Sequence, residues 1–179
     1  MAYSVQHHGT NRGLELQASI RQMLREQQRF THWVTLNFNR KHSADTAQKI
    51  LQLWFMNMNA RMFRSPKFAT KNTSDLFFFF AFPEDTLKEK PHFHVMARLA
   101  PDRSDYFEQL ASPKWKACVS SGSSDVQRIG DSDDDHEWVA TYATKNANRA
   151  FSHDGFIIST NLTDGRQQCS SRRRSVIHA

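Results

Sequence analysis

The sequence has little cysteine, little glycine and no long apolar run, and each shortage argues against a class of protein. Its 179 residues contain two cysteines, Cys118 and Cys169, which stand far apart and outside any CxxC pattern. This argues against a zinc site and a disulfide framework, and it fits a reducing compartment such as the cytoplasm. The six glycines form no GxxxxGKS phosphate loop, which argues against a nucleotidase or a helicase.

No stretch approaches the roughly 18–20 apolar residues of a membrane span, and the first residues lack the layout of a secretory signal peptide. We therefore expect a cytoplasmic protein without a membrane partner. The chain does have an excess of positive charge. It contains 24 Lys and Arg residues and 18 Asp and Glu residues, which gives a net charge of +6. A basic chain favours a polyanionic partner, although charge alone is weak support.

Hydrophobic periodicity predicts one domain in which helices and strands are interspersed. The predicted elements are an amphipathic helix at 13–29, a strand at 31–38, a helix from an N-cap at Ser43 to about 63, strands at 76–82 and 91–99, a helix at about 102–117, a strand near 125–129, a helix at about 136–149 and a strand at 156–158. The strand at 76–82 is almost continuously apolar, so we expect it to be buried on both faces, in a hairpin with 91–99 at the sheet centre. Helices segregated from a largely antiparallel sheet make the fold α+β.

The two ends of the chain differ from its middle. Residues 1–12 are polar and are expected to be flexible, and the domain is expected to cover 13–162. Residues 163–179 form a basic tail with three consecutive arginines at 172–174, which is expected to be disordered or to contact nucleic acid. The N-terminal helix at 13–29 would cap the sheet or mediate self-association.

Two histidines occupy alternate positions of the predicted strand at 91–99. Alternate side chains of a strand share a face, so His92 and His94 point the same way. Glu84 ends the partner strand, from which its carboxylate can reach both imidazoles, and Glu89 in the turn is the competing third ligand. Two nitrogens and one carboxylate leave open positions on a divalent ion, as a catalytic site requires. Merely hydrogen-bonded strand histidines are the alternative interpretation.

Tyr142 lies on the predicted helix at 136–149, three residues before Lys145, so the two side chains share a helix face. A phenol attacks phosphorus poorly near neutral pH because it ionises at about pH 10. It becomes effective when a metal polarises the phosphate and a cation, here Lys145, stabilises the developing charge. The alternatives are a tyrosine that packs on the sheet and a lysine that touches only the nucleic-acid backbone.

Three motifs stand in an order that resembles the HUH endonucleases. They are WVTLNF at 33–38, the His92 and His94 pair between apolar residues, and YATK at 142–145. The likeness spans about residues 31–160 and is strongest to the nuclease domain of rolling-circle replication initiator (Rep) proteins. It implies a five-stranded antiparallel sheet with flanking helices. It also implies nicking of single-stranded origin DNA through a 5′-phosphotyrosine link that leaves a free 3′-OH and is later rejoined.

Carried onto this sequence, the resemblance makes Tyr142 the nucleophile, His92 and His94 metal ligands, Glu84 the third ligand and Lys145 an assisting residue. The implied cofactor is Mg²⁺ or Mn²⁺, although imidazole also binds zinc, cobalt and nickel. The implied partner is single-stranded origin DNA, in which a hairpin can form. A helicase domain does not fit in this length, so either this chain is an excised nuclease domain or a host helicase unwinds the DNA.

Two departures from relatives bear on the type of enzyme. Asn146, not a second tyrosine, follows Tyr142 by four residues, which indicates a single-tyrosine enzyme. Relaxases of the same superfamily place the nucleophile near the N-terminus, a role open here to Tyr3, which has no lysine partner. Single-strand transposases, which also place the tyrosine after the histidines, stay an alternative, as does a basic module that binds DNA without cutting it.

Basic side chains are the expected contacts to the DNA backbone, because such binding is mainly electrostatic. The candidates are Arg40 and Lys41 after the first strand, Arg61, Arg64, Lys67 and Lys71 between the first long helix and the second strand, and Arg149 together with Lys145. Simple solvation is the alternative for each. The stretch at 67–71 is favoured because basic residues crowd a loop there.

Overall fold

The part of the chain that the structure describes contains five strands and three long helices, and the fold is α+β as predicted. The computed structural model describes residues 15, 18–22, 24, 30–64, 77–84, 90–144, 156–160 and 162. Its strands are β1 (His32–Asn37), β2 (Phe78–Glu84), β3 (His92–Arg98), β4 (Ser123–Arg128) and β5 (Ile157–Ile158), and its helices are α1 (Ala44–Met62), α2 (Ser104–Cys118) and α3 (Asp133–Ala143). The described residues of the N-terminal segment, 15, 18–22 and 24, are helical.

The strands form one sheet in the order β4-β1-β3-β2-β5, and every neighbouring pair is antiparallel. The five-stranded antiparallel sheet is therefore confirmed. So is the pairing of the two strands expected to form a hairpin, in which Ala81 of β2 faces Val95 of β3. The central strand is β3, because β1 pairs along its other edge and places Val34 opposite the same Val95.

The first face of the sheet packs against α1 and α2 in a core rich in aromatic side chains. Trp54 of α1 and Trp115 of α2 are fully buried in it, and their rings meet edge to face at 6.4 Å. The strand side chains of this face are Val34, Leu36, Phe79, Ala81, Phe93, Val95 and Ala97. Burial of this much apolar surface makes the first face the main source of hydrophobic stabilisation.

The second face of the sheet packs against the N-terminal helical residues and α3. Its strand side chains are Trp33, Phe80, Phe82 and Met96, and they pack with Ile20, Leu24, Phe30, Val139, Ala140 and Ala143. Since Phe79 and Ala81 belong to the first face, β2 is buried on both faces as predicted. The burial of Ile20 and Leu24 against the sheet shows that the N-terminal helical residues cap it.

Two of the element boundaries that differ from the predicted ones have a local explanation. Strand β2 continues through Pro83 to Glu84. Proline has no backbone N–H to donate, but β5 pairs only with Phe80 and Ala81, so no described strand on that edge needs a hydrogen bond from Pro83. Helix α3 begins at Asp133 instead of about residue 136, because the Ser132 hydroxyl caps it and first-turn carboxylates suit a helix N-terminus.

The N-cap predicted at Ser43 is confirmed, since its hydroxyl accepts from the backbone N–H of Thr46. Residues 145–149 of the last predicted helix lie outside the described residues, as do residues 1–12 and the tail at 163–179. Among the helices that the structure describes, none combines the length and the apolar character that crossing a membrane requires.

Candidate metal centre

The candidate metal centre lies on the second face, where β2 pairs with β3. Glu84 is directly opposite His92 in the ladder, and His94 is two residues along β3. Paired residues of antiparallel strands project from the same face with their side chains close together. The sheet therefore brings together the three residues predicted to bind metal. Glu89, the competing ligand, lies outside the described residues.

One carboxylate oxygen lies within hydrogen-bond distance of both imidazoles. Oε2 of Glu84 is 2.7 Å from Nε2 of His94 and 3.1 Å from Nε2 of His92, and the three ligand atoms lie within 4.8 Å of one another. Neighbouring ligands in an octahedral site with bonds of about 2.1 Å stand about 3.0 Å apart. The donor set fits a divalent ion, and in the described part of the chain no other His, Cys, Asp and Glu group forms such a cluster.

The cluster is partly open to solvent. The side chains of Glu84 and His92 are 18% and 19% exposed, whereas that of His94 is 8% exposed. Solvent therefore reaches the cluster from the side of Glu84 and His92, while His94 is more deeply buried. A metal site that is open on one side keeps coordination positions available to a further ligand.

Side chains of β1 orient the buried histidine. Thr35 pairs with His94 in the ladder, and its hydroxyl oxygen is 3.3 Å from Nδ1 of His94. The Trp33 indole stacks on the same imidazole with 4.9 Å between ring centroids and 19° between planes. When Nδ1 carries the proton and donates to Thr35, the lone pair of Nε2 faces the carboxylate of Glu84, an arrangement that a shared cation stabilises.

Helix α3 places the predicted nucleophile beside the cluster. The half-buried Tyr142 ring meets the His94 ring edge to face at 5.3 Å and the Trp33 ring at 5.5 Å. It also stacks on Trp138, with 5.5 Å between centroids and 21° between planes. Tyr142 therefore packs among three rings, one of which is the imidazole of a candidate metal ligand.

The predicted basic residues that the structure describes lie in two places. Arg40 and Lys41 are exposed in the segment after β1, and Asn37 at the end of β1 pairs with His92, so this segment leaves the sheet at the end that carries the cluster. Arg61 and Arg64, also exposed, lie at the end of α1 on the first face, so they are not brought to the cluster. Lys67, Lys71, Lys145 and Arg149 lie outside the described residues.

Sequence reasoning left out Thr35, Trp33 and Trp138 as site residues. A local sequence pattern pointed to each of these three residues. Alternation along β1 places Trp33 and Thr35 on one face, and Trp138 stands one helical turn before Tyr142. Their importance depends on facing His94 or Tyr142 across the fold, which no local pattern predicts.

A further histidine that the sequence did not single out lies on the first face. His32 is fully buried, with Nε2 3.1 Å from Oε1 of Glu108 and Nδ1 2.9 Å from the Thr31 hydroxyl. Arg128 of β4 donates to the same Glu108 oxygen. Burial lowers the pKa of His32 below its ordinary value, and the hydrogen bond to Glu108 opposes this only in part. His32 is separated from the cluster by the sheet.

Comparison with protein-family models, with curated proteins and with solved structures finds no match. The chemistry of the site is therefore inferred from its geometry and from the sequence motifs. That geometry combines a cluster able to hold a metal ion with a phenol packed against one of its ligands. A divalent ion held by Glu84, His92 and His94 would supply Lewis-acid polarisation, and a phenol beside it is a potential nucleophile.

Proposed function

We propose that the protein is a metal-dependent, sequence-specific nickase and strand transferase of single-stranded DNA, of the kind that initiates rolling-circle replication. The observation that carries the proposal is the Glu84 oxygen within 3.1 Å of both imidazole nitrogens, with the Tyr142 ring packed on His94. The order of the three motifs, which resembles that of HUH endonucleases, favours DNA as the substrate.

The proposed metal is Mg²⁺ or Mn²⁺, held by Glu84, His92 and His94. A carboxylate oxygen suits both ions. When bound, the ion would supply Lewis-acid polarisation of a phosphoryl oxygen. The partial exposure of Glu84 and His92 leaves room for a phosphate to approach the cluster.

The proposed reaction is a transesterification with Tyr142 as nucleophile. The phenolic oxygen attacks phosphorus, so that the bond from this oxygen to phosphorus forms while the bond from phosphorus to the 3′ oxygen breaks. The phenolic proton ends on the 3′ oxygen. The products are a 5′-phosphotyrosine and a free 3′-OH, and attack by a 3′-OH in the reverse sense rejoins the strand and releases the tyrosine.

Charge on the chain supports binding of the strand. The net charge of +6 attracts a polyanion over distance, and Arg40 and Lys41 are exposed in the segment that leaves the sheet beside His92. These two side chains are proposed phosphate contacts. The motif resemblance assigns Lys145 the stabilisation of charge on the reacting oxygens.

Covalent capture of DNA tests the proposal. The protein is incubated with a pool of single-stranded oligonucleotides and Mn²⁺, the adduct is detected on a denaturing gel, and the attached DNA is sequenced. The chain has three tyrosines, Tyr3, Tyr106 and Tyr142, so each is replaced in turn by phenylalanine. We expect Tyr142→Phe to abolish the adduct and Tyr106→Phe, on α2 at the first face, to leave it unchanged.

Each other outcome assigns a different function. An adduct that survives Tyr142→Phe and is lost in Tyr3→Phe would indicate the relaxase arrangement. Attached sequences that are element ends and not an origin would indicate a transposase. DNA binding that a chelator does not affect, with no cleavage by any divalent ion, would indicate a non-catalytic module.

A further inference from the structure

We infer that Trp138 is a stacking platform for one nucleobase of the strand bound at the metal centre. This inference rests on the proposed function, since it specifies how the strand is held beside Tyr142. Trp138 is 57% exposed, whereas Trp33, Trp54 and Trp115 are buried. It is thus the one tryptophan of the four in the chain whose ring is available to a ligand.

The exposed indole is held in place by neighbouring rings. It stacks on Tyr142 and meets Trp33 edge to face at 6.5 Å, so one side of the ring is packed while more than half of the residue faces solvent. Large aromatic side chains usually bury most of their surface. A rigid aromatic ring with an open side is the structure on which bases of single-stranded nucleic acid stack, largely irrespective of their sequence.

The position of Trp138 relative to the proposed nucleophile favours this use. The two residues are one helical turn apart on α3, and their ring centroids are 5.5 Å apart. A nucleotide whose phosphate lies beside Tyr142 therefore carries a base within reach of Trp138. The stacked base would fix the position of the strand relative to the metal centre.

Charge at the start of α3 indicates that the contact is made with a base and not with a phosphate. The first turn carries Asp133, Asp134 and Asp135, all exposed, and these carboxylates repel a phosphate backbone. A base is uncharged, so it can occupy Trp138 while the backbone stays away from this turn. Removal of the stacking contact by Trp138→Ala should accordingly leave the salt dependence of DNA binding unchanged, because a stacked base releases no counterions.

The test measures binding without cutting. The Tyr142→Phe protein, which keeps the ring on which Trp138 stacks, is used with a chelator to select the tightest single-stranded oligonucleotide from a random pool. Acrylamide quenching of tryptophan fluorescence then reports mainly on Trp138, because the other three tryptophans are buried. We expect the bound oligonucleotide to protect this fluorescence from acrylamide.

Abasic substitution identifies the stacked base. Trp138→Ala, made in the same protein, should weaken binding of the intact oligonucleotide roughly 5- to 140-fold, the range that corresponds to 1–3 kcal/mol per stacked base at 1.4 kcal/mol per tenfold. Each nucleotide of the selected oligonucleotide is then made abasic in turn. At one position only, the proteins with and without Trp138→Ala should bind the abasic oligonucleotide with equal affinity. Trp138→Phe should retain part of the affinity. Leu53→Ala, at a comparably exposed apolar residue (49%) on α1, should have no effect.

Three outcomes would overturn the inference: no oligonucleotide selected from the pool, unchanged affinity in Trp138→Ala, or a loss that is the same at every abasic position. The last outcome would mean that Trp138 only packs against the residue at 142. Failure of the proposed function is seen separately. A wild-type protein that forms no adduct while Trp138 still responds to one base would contradict the nickase and leave the stacking platform intact.

Discussion

At the scale of single residues, Thr35 controls how His94 presents its nitrogen to the cluster. Its hydroxyl lies 3.3 Å from Nδ1, and partners of this kind fix the ring orientation and tautomer of a metal-ligating histidine. We expect Thr35→Val, which keeps the branched shape and removes the hydroxyl, to weaken Mn²⁺ binding roughly 10- to 100-fold. Isothermal titration calorimetry measures the change.

Two variants control this experiment. Thr35→Ser keeps a hydroxyl at the same position and should retain most of the affinity, whereas His92→Ala removes a ligand and should lose it. Wild-type affinity in Thr35→Val would show that Trp33 and Glu84 are sufficient to orient His94. Absence of Mn²⁺ binding in the unsubstituted protein would contradict the metal site itself.

Trp33 connects the two chemical groups of the site. Its indole stacks on the His94 imidazole and meets the Tyr142 ring edge to face, and it is itself buried. Ring contacts of these geometries are favourable beyond the area that they bury. A single side chain of β1 thus holds a ligand of the proposed metal and the proposed nucleophile in a common arrangement.

At the scale of elements, α3 is the helix on which the proposed chemistry depends, and its N-cap offers a test. The Ser132 hydroxyl accepts from the backbone N–H of Asp135 at 3.1 Å. We expect Ser132→Ala to lower the free energy of unfolding by about 1 kcal/mol, as measured by urea denaturation. It should also slow adduct formation, because α3 carries both Trp138 and Tyr142.

The equivalent cap of α1 is the matched control. The Ser43 hydroxyl accepts from the backbone N–H of Thr46 at 3.2 Å, so Ser43→Ala should cost a similar free energy of unfolding. Helix α1 lies on the first face, and the rate of adduct formation should therefore stay at its wild-type value. Equal slowing by the two substitutions would mean that the rate follows overall stability and not the position of α3.

Alternation along the strands explains why the metal cluster was predictable at this scale. Side chains of a strand change face at each residue, so the order of His92 and His94 in β3 determines that they share a face. A slip of one residue would move both to the opposite face, where Phe93 and Val95 now lie in the core. Burial of those two residues therefore protects the register that forms the site.

At the scale of the whole molecule, we expect His32 to make the stability of the fold depend on pH. Burial lowers its pKa in the folded state, whereas the unfolded chain takes up a proton at about pH 6.5. The unfolded state therefore binds more protons as the pH falls below this value, and the free energy of unfolding decreases. The contribution of His32 is complete above pH 6.5 and is lost as the pH falls toward the lowered pKa.

We expect His32→Gln to show a weaker decrease in the free energy of unfolding than wild type between about pH 7.5 and about pH 5.5. Urea denaturation in metal-free buffer measures the free energy of unfolding of both proteins. Any contribution of His92 and His94 cancels from the comparison, because both proteins contain these residues. The pKa of Glu108, lowered chiefly by its hydrogen bond with Arg128, falls outside this window. Parallel pH profiles would show that His32 does not contribute to the pH dependence.

Local patterns in the chain were sufficient for the α+β class, the antiparallel sheet, the Ser43 cap and the meeting of Glu84 with the two histidines. The Ser43 cap and the meeting of Glu84 with the two histidines depend on residues that are close in sequence or directly paired across one turn, whereas the sheet also joins strands that are distant in the chain, such as β1 with β3 and β4. The start of α3 differs from the predicted residue 136, because Ser132 caps the helix and its first turn consists of Asp133, Asp134 and Asp135.

Packing between distant elements established the rest. The docking of α3 on the sheet brings Tyr142 to His94, and the pairing of β1 with β3 lays Trp33 flat on the same imidazole. The docking of α1 places Arg61 and Arg64 on the opposite face. Docking depends on the shapes of two buried surfaces that are far apart in sequence. Periodicity indicates which side of a helix is apolar, but it does not specify which face of the sheet that side will cover.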